Sequence, residues 1–484
     1  MQSIWYNHIT RTHFPSLSKD IQTDIAIIGG GMAGILTAAL LTADGKKVIV
    51  LEADTIGSGQ TGRSTAKVTS QHGTIYHTLE HKLGKEISAQ YAEANQRAVF
   101  TYRQLIEKKQ IQCNWEDVCA CLYATENESL LHTELQAQQN AGLPVKFIKT
   151  SELPFPTKGT IQLPNQGQFH PLRFLYHLAD DLQIYENTRV LTADKNQLET
   201  TGGTVQAEQI IFACHFPFIN WPGGYFLRMH QERSYVLALT GTPRLSNHYY
   251  AVDHGGLSLR QAGNILLLGG GSHRTGENQS GGQYDTLRRC AELLFPNAKA
   301  CTCWSAQDCM TLDHIPYIGQ FSAATPQWYV ATGFGKWGMS NSMVAAELLR
   351  DLILGHSTAW GSIFSPQRFP LKASTPSLLK ESFHAAQGLG QRFFAPAKAA
   401  AQTLPPEHGG VVEWQGEKVG IYKSACGEIW MVDIRCPHLG CQLTWNSDEK
   451  SWDCPCHGSR FDYQGNNLDH PAQEQLPSQR IDTL

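Results

Sequence analysis

An alternation of strand, glycine turn and helix near the start of the chain constrains the fold more than any other feature. Residues 24–30 read DIAIIGG, an apolar run that ends in glycines, and residues 31–45 carry small apolar side chains at helical spacing. A second apolar run, KKVIVLEA, follows at 46–53. Two strands joined in this way by one helix form a βαβ unit, which predicts an α/β domain built on a parallel sheet.

The glycine turn of this unit has the spacing of a dinucleotide-binding fingerprint. Gly29, Gly31 and Gly34 fit the pattern GxGxxG at the mouth of the helix, where backbone N–H groups and the helix dipole can receive a pyrophosphate. Glu52 closes the second strand, at the distance from which an acidic side chain accepts hydrogen bonds from ribose hydroxyls. We therefore predict a bound dinucleotide, with a tight turn that holds no ligand as the alternative. The fingerprint alone does not choose FAD over NAD.

The length and charge of the chain narrow its class. At 484 residues it exceeds one ordinary core, and the rule of about 150 residues per domain predicts roughly three lobes. The formal net charge is -4 with 17% charged residues. The chain therefore lacks the surplus of basic residues that would indicate nucleic-acid binding. The sequence shows neither an export signal nor a run of about 18 apolar residues. We therefore expect no transmembrane segment and a cytoplasmic location.

Three further stretches resemble the D-amino-acid oxidase, glycine oxidase and sarcosine oxidase superfamily, over about residues 20–356. They are the glycine- and serine-rich loop Gly57–Gly73, the segment Trp304–Gln320, and the segment Tyr329–Leu349, which is similar to the family's final strand, glycine turn and helix. The resemblance implies an α/β FAD-binding domain of the Rossmann type with an interleaved α+β substrate domain. It also selects FAD as the dinucleotide.

The resemblance implies which residues hold the cofactor. In this family the glycine- and serine-rich loop passes over the FAD phosphates, and the last glycine turn lays backbone N–H groups against the pyrimidine edge of the flavin. Carried onto the matching positions, the expected FAD-binding residues are Gly29, Gly31, Gly34, Glu52, Ser64, Thr65, Lys67, Val190, Gly333, Gly335, Gly338 and Met339.

Two departures from the family pattern bear on the chemistry. Leu267 stands where the oxygen-using sarcosine oxidases carry a lysine, which favours a dehydrogenase over an oxidase. Thr302 stands at the position of their flavin-linking cysteine, so we expect non-covalent FAD, although Cys301 and Cys303 flank it. The missing lysine thus agrees with a flavoenzyme that passes its electrons onward.

The same resemblance implies oxidation of a C–N bond in an amine or amino acid, followed by hydrolysis of the imine. Arg260 is a candidate partner of a substrate carboxylate, although an arginine in a β lobe is more often salt-bridged or solvated. His72, His230 and His273 are candidates for polar contacts, and each has a structural role as its alternative. A neutral amine can give up a hydride without a protein base, so no acid–base residue is predicted.

Four of the 13 cysteines lie between 436 and 456, and this crowding favours metal ligation over a disulfide scaffold. The runs CPHLGC at 436–441 and CPCHGS at 454–459 resemble the cluster-binding loops of Rieske [2Fe–2S] domains, over about residues 403–484. A zinc site on the same residues is the alternative. The resemblance implies the iron ligands Cys436, His438, Cys454 and His457, and a disulfide between Cys441 and Cys456.

Positions around the predicted cluster bear on its potential. Ser459 matches a hydroxyl that donates to a cluster sulfur, but Phe461 stands where the family has a tyrosine, so one donor is missing. We therefore predict a midpoint potential below that of the quinol-oxidising Rieske proteins. Pro471 and Ala472 resemble the short loop that shields the cluster.

Patterning elsewhere completes the predicted organisation. It indicates one long helix from Thr78 to about Lys109, a helix at Met343–Leu354, and strands at Ala207–Ala213 and Ile265–Leu268, the last ending at a triple glycine. Between 356 and about 406, Ser, Thr, Pro, Ala and Gln dominate without a strand pattern, which indicates a connector. The expected domains are FAD-binding at 1–105, 150–220 and 300–356, substrate at 106–149 and 221–299, connector at 357–402 and Rieske at 403–484.

The two predicted cofactors differ in capacity, because FAD accepts two electrons as a hydride and the cluster holds one. We expect a dehydrogenase that passes electrons from its substrate to FAD, then to the cluster and on to an external acceptor. One alternative is a reductase or monooxygenase-like enzyme, into which a reduced donor protein feeds electrons through the cluster. Another is a non-catalytic redox sensor, in which the cluster and the disulfide report oxidation state to a partner.

Overall fold

The computed structural model describes residues 2–368 and 404–481, and the first of these ranges forms the flavin region. Its strands are β1 (Ile21–Ile28), β2 (Val48–Leu51), β3 (Lys67–Val68), β4 (Glu116–Ala124), β5 (Lys146–Ile148), β6 (Gly159–Gln168), β7 (Gln183–Tyr185), β8 (Val190–Asp194), β9 (Gln197–Thr200), β10 (Gly203–Phe212), β11 (Met229–Thr240), β12 (His248–Ala251), β13 (Ser258–Ala262), β14 (Ile265–Arg274), β15 (Lys299–Thr311), β16 (Tyr317–Ser322) and β17 (Thr325–Thr332). Its helices are α1 (Met32–Ala43), α2 (Ile75–Leu83), α3 (Lys85–Lys109), α4 (Glu128–Asn140), α5 (Pro171–Ala179), α6 (Gln283–Leu294), α7 (Gly338–Leu354) and α8 (Gly361–Phe364).

The first sheet contains the predicted βαβ unit. Its strand order is β16, β17, β10, β1, β2, β7, with β9 beside β10 and β8 beside β9. The central pairs are parallel, β1 with β2 and β10, and β10 with β17. Strand β2 is wholly buried and β1 is buried over its last four residues, as expected for parallel strands covered on both faces. The predicted α/β fold is confirmed, with α1 packed against α7 on the sheet.

The predicted long helix is divided in two. Helices α2 and α3 meet at Gly84, where the sequence pattern indicates an unbroken helix from Thr78 to Lys109. Gly84 has a φ of 96°, a left-handed conformation in which a helix cannot continue. The single helix was therefore a wrong prediction, and α3 packs separately against α7.

The second sheet carries most of the predicted substrate domain. Its order is β15, β11, β14, β13, β12, β4, β6, β3, with β5 beside β6. Strand β14 runs on through the triple glycine to Arg274, because its pairing with β11 continues to that residue. The predicted end of this strand at Leu268 was wrong for that reason. Strands β6 and β15 also lie here, so segments 150–220 and 300–356 each contribute to both sheets.

Residues 404–481 form two antiparallel four-stranded sheets, which confirms the predicted all-β module. One sheet has the order β18, β19, β20, β25, and the other has the order β21, β22, β23, β24. The CPHLGC run lies between β20 and β21, and the CPCHGS run lies between β22 and β23. The strands are β18 (His408–Trp414), β19 (Glu417–Lys423), β20 (Ile429–Val432), β21 (Thr444–Asn446), β22 (Ser451–Asp453), β23 (Arg460–Asp462), β24 (Asn467–Asp469) and β25 (Ser478–Ile481).

The connector predicted at 357–402 begins with ordered structure. Helix α8 lies in it, and its Phe364 packs against Trp360 and against Tyr91 of α3. The rest of the predicted connector, from residue 369, lies outside the described residues. Among the helices of residues 2–368 and 404–481, none has the length and apolar character needed to cross a membrane.

Candidate redox sites

A cavity of about 1150 Å³ lies where the carboxyl ends of the first sheet meet the second sheet. Its walls include the ends of β1, β2, β10 and β17, the faces of β11, β14 and β15, and residues 467–470 of the C-terminal region. Ligands of open parallel sheets bind at this edge of the strands. The cavity is therefore the candidate flavin site, and both predicted cofactor regions contribute to its wall.

The glycine turn after β1 has the shape that a dinucleotide requires. Gly29 has a φ of 111°, and a Cβ on Gly34 would lie 1.9 Å from the Gly29 oxygen, so Gly34 allows α1 to pack closely on the turn. The Glu52 carboxylate accepts a hydrogen bond from the Gly30 N–H at 2.6 Å, and burial raises its pKa. Arg189 lines the cavity, and its buried Nη1 has no hydrogen-bond partner within the described residues. These groups fit FAD.

The glycine turn after β17 is braced by His72. Gly333 and Gly335 have φ values of 74° and 55°, conformations that favour glycine. The His72 ring stacks on Trp337 with 4.8 Å between centroids, and its Nε2 lies 2.9 Å from Ser340 Oγ. Burial lowers the pKa of His72 to about 3, so the ring is neutral. His72 lies outside the cavity lining, and its position supports the structural alternative.

Arg260 lies on β13, outside the cavity lining. Its guanidinium donates to the backbone oxygen of Thr65 and, at 2.8 Å, to that of Phe169. It also lies 5.0 Å from the ring centroid of Trp5. Two of its three nitrogens thus donate to backbone, and Nε has no hydrogen-bond partner among the described residues. Because Arg260 lies outside the cavity lining, its interpretation as the partner of a substrate carboxylate is corrected to that of a residue that holds the glycine- and serine-rich loop in place.

Most of the other predicted site residues come together in the cavity. His273 lines it, with Nε2 3.1 Å from the Tyr235 hydroxyl, and His230 lines it beside Glu232. Among the twelve expected FAD-binding residues, Gly34 lies outside the cavity lining. The remaining expected residues all line the cavity, and their contact with FAD stays a prediction: Gly29, Gly31, Glu52, Ser64, Thr65, Lys67, Val190, Gly333, Gly335, Gly338 and Met339.

A cluster of charged side chains in the cavity was missed by the sequence analysis. Lys336 Nζ lies 3.1 Å from Glu232 Oε2, and Asp308 Oδ2 accepts from Ser234 Oγ at 2.9 Å. Burial raises the pKa of Asp308 to about 6. Burial alone would also raise the pKa of Glu232, but His230 and Lys336 outweigh it and lower that pKa to about 2. The sequence does contain one sign of this cluster, because polar residues at 230, 232 and 234 alternate along one strand and so share one face of it.

The cysteines of the two C-terminal loops divide into a disulfide and two thiols. Cys441 and Cys456 form the disulfide, which links the loops. Cys436 and Cys454 stay free and hydrogen-bond each other. The sulfurs of Cys441, Cys454 and Cys456 also lie within 4.8 Å of one another, but the disulfide excludes two of them as metal ligands. Two thiols are therefore available to a metal centre here.

Two histidines complete a donor set for a Rieske cluster. The rings of His438 and His457 lie 4.9 Å apart between centroids. His438 Nδ1 is buried and has no hydrogen-bond partner among the residues that the structure describes. Ser459 hydrogen-bonds Cys436 and accepts from the Ala472 N–H at 2.9 Å. Two thiolates for one iron and two imidazoles for the other is the ligation of a Rieske [2Fe–2S] cluster, so these residues fit that group.

Replacing Phe461 with tyrosine is expected to raise the midpoint potential of the cluster by roughly 40 mV, because one added hydrogen bond is worth about 1 kcal/mol and the couple carries one electron. Phe461 is fully buried on β23, next to the CPCHGS loop. A redox titration followed by EPR measures the shift. A Tyr463→Phe variant removes a hydroxyl from the ring that packs on Tyr422 and serves as the control. An unchanged or lower potential in Phe461→Tyr would contradict the role of the missing donor.

The cluster loops dock directly on the flavin region. His438 Nε2 lies 2.7 Å from Asn220 Oδ1, and Gln231 Nε2 donates to the backbone oxygen of His457 at 2.7 Å. The ring of Phe226 lies 6.1 Å from that of His438 and 5.8 Å from that of His457. The edge of the cluster site that bears the histidines therefore faces the flavin region.

A largely buried interdomain ion network of three arginines and three carboxylates stabilises this docking. Its members are Arg63, Arg233, Arg460, Glu449, Asp453 and Asp469. Arg233 Nη2 lies 2.6 Å from Glu449 Oε2, and the two side chains are 0% and 8% exposed. Arg63 and Arg233 also approach Asp469, at 3.6 and 3.7 Å. Arg460 pairs with all three carboxylates from within the C-terminal region. Charges of both signs are thus buried together across the interface.

Comparisons with known proteins agree with both sites. The family model for FAD dependent oxidoreductases matches residues 24–352, and the model for Rieske [2Fe-2S] domains matches residues 396–480. The Rieske protein YhfW of Bacillus subtilis is 34% identical over 500 residues, which cover 99% of this chain and 98% of that protein. The whole two-part organisation is therefore shared with a known relative.

Other similar proteins match the flavin region. Gamma-glutamylputrescine oxidoreductase of Escherichia coli is 22% identical over 394 residues, 74% of this chain and 89% of that protein. Glycine oxidase from Geobacillus kaustophilus has the same fold, with a TM-score of 0.61 at 22% identity over 72% of this chain and 99% of that chain. With both family models matched, the chain belongs to the FAD-dependent oxidoreductases, enzymes that bind FAD, and it carries a C-terminal Rieske [2Fe–2S] domain as its second redox centre.

Proposed function

We propose that this protein is a dehydrogenase that oxidises a C–N bond of an amine or amino acid and passes the electrons through its Rieske cluster to an external one-electron acceptor. The docking of the cluster loops carries the proposal. Gln231 of the flavin region hydrogen-bonds the loop of His457, and Asp469 and His470 of the Rieske domain line the flavin cavity. The Rieske domain thus forms part of the flavin cavity wall, and this proximity supports electron transfer between the two cofactors.

We assign the cofactors to the residues described above. FAD supplies the hydride acceptor, and the lining residues around the turns after β1 and β17 would hold it. The [2Fe–2S] cluster would be held by Cys436, His438, Cys454 and His457. Glu232 and Asp308 bring two carboxylates into the cavity beside the single ammonium of Lys336, and a cationic amine would find hydrogen-bond acceptors there. The domain boundaries and the cytoplasmic location stay predictions of the sequence.

The proposed substrate class is supported by the relatives. The Escherichia coli relative is named for an amine, and the glycine oxidase is named for an amino acid. The preference for a dehydrogenase over an oxidase rests on Leu267, a buried aliphatic side chain on β14 where the oxygen-using enzymes carry a lysine. An enzyme that hands its electrons to a cluster gains nothing from fast reaction with oxygen.

An anaerobic titration of the holoenzyme with a panel of amines and amino acids tests this proposal. We expect at least one compound to bleach the flavin absorbance, and the EPR signal of the reduced Rieske cluster to appear after the bleaching. The hydroxy acid that corresponds to each amino acid serves as the matched control and is expected to leave the flavin oxidised, because it has no C–N bond to oxidise.

Two other outcomes would replace the proposal. If the panel leaves the flavin oxidised while a dithionite-reduced ferredoxin fills the cluster and then the flavin, electrons enter at the C-terminal end and the protein is a reductase. If neither the panel nor the ferredoxin reduces the flavin, the redox-sensor interpretation takes its place.

A further inference from the structure

We propose that Gln231 is a positioning residue for electron transfer, which fixes the His457 loop against the flavin cavity and forms the hydrogen-bonded link between the two redox sites. The inference rests on the proposed relay and deepens it. Gln231 lies on β11 and is 1% exposed. Its Nε2 donates to the backbone oxygens of His457 at 2.7 Å and His470 at 2.8 Å. One amide thus binds both the ligand loop and the loop that shields the cluster.

The orientation of this amide is fixed by its surroundings. The oxygens of His457 and His470 only accept, so the Gln231 nitrogen must face them. Its Oε1 then faces two donors, His215 Nε2 at 3.1 Å and Gln307 Nε2 at 2.7 Å. Every hydrogen-bonding position of the Gln231 amide is therefore occupied, and a rotated side chain would leave buried groups unsatisfied.

The link continues to the flavin cavity through His215. This residue follows β10 and lines the cavity. Its backbone oxygen accepts from Thr332 Oγ1, and Thr332 also lines the cavity, directly before the glycine turn that begins at Gly333. A continuous route thus runs from Thr332 on the cavity wall through His215 and Gln231 to the backbone of His457. Each non-covalent step along it is a hydrogen bond.

The contact between Gln231 and the cluster loop is too close for another geometry. Gly458, next to the ligand His457, has a φ of 80°, and a Cβ there would lie 2.6 Å from Gln231 Cβ. Gln307 Nε2 also donates to the Gly458 oxygen at 2.8 Å. Two glutamines of the flavin region therefore hold the loop, and at Gly458 only glycine leaves room for the Gln231 side chain.

The electron balance of the step is simple. With both cofactors bound, the reduced flavin would supply two electrons one at a time, and each would convert one iron of the cluster from the ferric to the ferrous state. The external one-electron acceptor would take up each electron in turn and return the cluster to the ferric state before the second transfer. Tunnelling between centres falls steeply with the width of the gap, so a residue that fixes the gap fixes the rate.

A Gln231→Leu variant tests the inference without a substrate. Light with EDTA as the electron donor reduces the bound flavin anaerobically, and absorbance follows the transfer of electrons to the cluster. We expect the flavin-to-cluster step to slow by at least about 10-fold, while photoreduction of the flavin and the EPR spectrum of the chemically reduced cluster stay as in wild type. Gln231→Asn, which keeps the amide on a shorter side chain, is expected to give an intermediate rate.

The control separates this role from general docking. Asn278 donates to Asp448 of the Rieske domain at 2.8 Å, so an Asn278→Leu variant loses an interdomain hydrogen bond away from the Gln231 link. We expect its transfer rate to match wild type. A rate within twofold of wild type in Gln231→Leu, or an equal loss in Asn278→Leu, would overturn the inference. A wild-type cluster that stays oxidised beside photoreduced flavin would instead overturn the relay itself.

Discussion

A Cys454→Ser variant is expected to lose electron delivery to a one-electron acceptor by more than about 100-fold, while its substrate still reduces the flavin. Losing a hydrogen-bond partner of a metal ligand typically costs about 10- to 100-fold, and losing the ligand itself is expected to cost more. Cys454 is buried, and it carries one of the two thiols that the disulfide leaves available in the cluster loops. The flavin cavity is lined by other residues. Stopped-flow reduction of the flavin and steady-state reduction of ferricyanide separate the two steps.

The matched control for this variant is Cys426→Ser, which removes an exposed thiol on the loop between β19 and β20. It is expected to leave the cluster and both rates unchanged. The relay fails if the wild-type holoenzyme turns over an amine rapidly with oxygen alone and Cys454→Ser does so equally well. In that case the cluster is not on the path of the electrons.

Replacing Arg233 with alanine is expected to lower the free energy of unfolding of the docked Rieske domain by about 3–5 kcal/mol, because a buried ion pair that loses one partner leaves an uncompensated charge. Arg233 is fully buried, and it faces Glu449 and Asp469 of the other domain. Urea unfolding of the holoenzyme, followed by the visible absorbance of the cluster, measures the loss.

Two controls show whether the effect comes from buried charge. Arg288→Ala breaks an exposed pair with Asp285 and is expected to cost no more than about 0.5 kcal/mol. The double variant Arg233→Met with Glu449→Met restores the balance of charge and is expected to be more stable than Arg233→Met alone. A cost below about 1 kcal/mol for Arg233→Ala would show that the interdomain ion network does not hold the docking.

The pH dependence of the Arg233→Ala effect follows from Asp469. Burial alone would raise the pKa of Asp469, but the three arginines of the interdomain ion network outweigh it and lower that pKa to about 2. A carboxylate with a lowered pKa in the folded state stabilises the protein above its unfolded pKa of about 4, and this stability is lost as the pH falls toward 2. The difference between wild type and Arg233→Ala is therefore expected to shrink between about pH 5 and pH 2.

The sequence by itself determined the parts of this protein that consecutive residues build. The turn from Gly29 to Gly34 and the loops 436–441 and 454–459 are each continuous in sequence, so their spacing reports the local geometry directly. The same holds for the predicted βαβ unit, whose strands and helix are neighbours along the chain. The fold class and a bound dinucleotide could be predicted for this reason, and the resemblance of further continuous stretches to known families identified the cofactors as FAD and a Rieske cluster.

Side-chain roles that depend on distant packing could not be predicted. His72 belongs to the glycine- and serine-rich loop, and Arg260 lies on β13, so both were candidates for the flavin site. In the structure, Arg260 donates to the Phe169 backbone and His72 stacks on Trp337. Both side chains therefore stabilise the walls of the site from outside the cavity. Asp308 was missed because its neighbour Glu232 is on another strand, 76 residues away, and only the pairing of β11 with β15 brings them together. A single sequence holds no sign of that register.

Strand β11 shows the limit most clearly. Its residues 230, 232 and 234 line the flavin cavity, whereas Gln231 and Arg233 on the opposite face bind the Rieske domain. Alternation along a strand separates the two sets, and the sequence carries that alternation. The partner of Gln231 on the second face is His457, which lies 226 residues away in the sequence. Only the folded interface brings such distant residues into contact, so the sequence pattern alone could not identify the partner. Local patterns specified the two redox sites, and tertiary structure decided how they are joined.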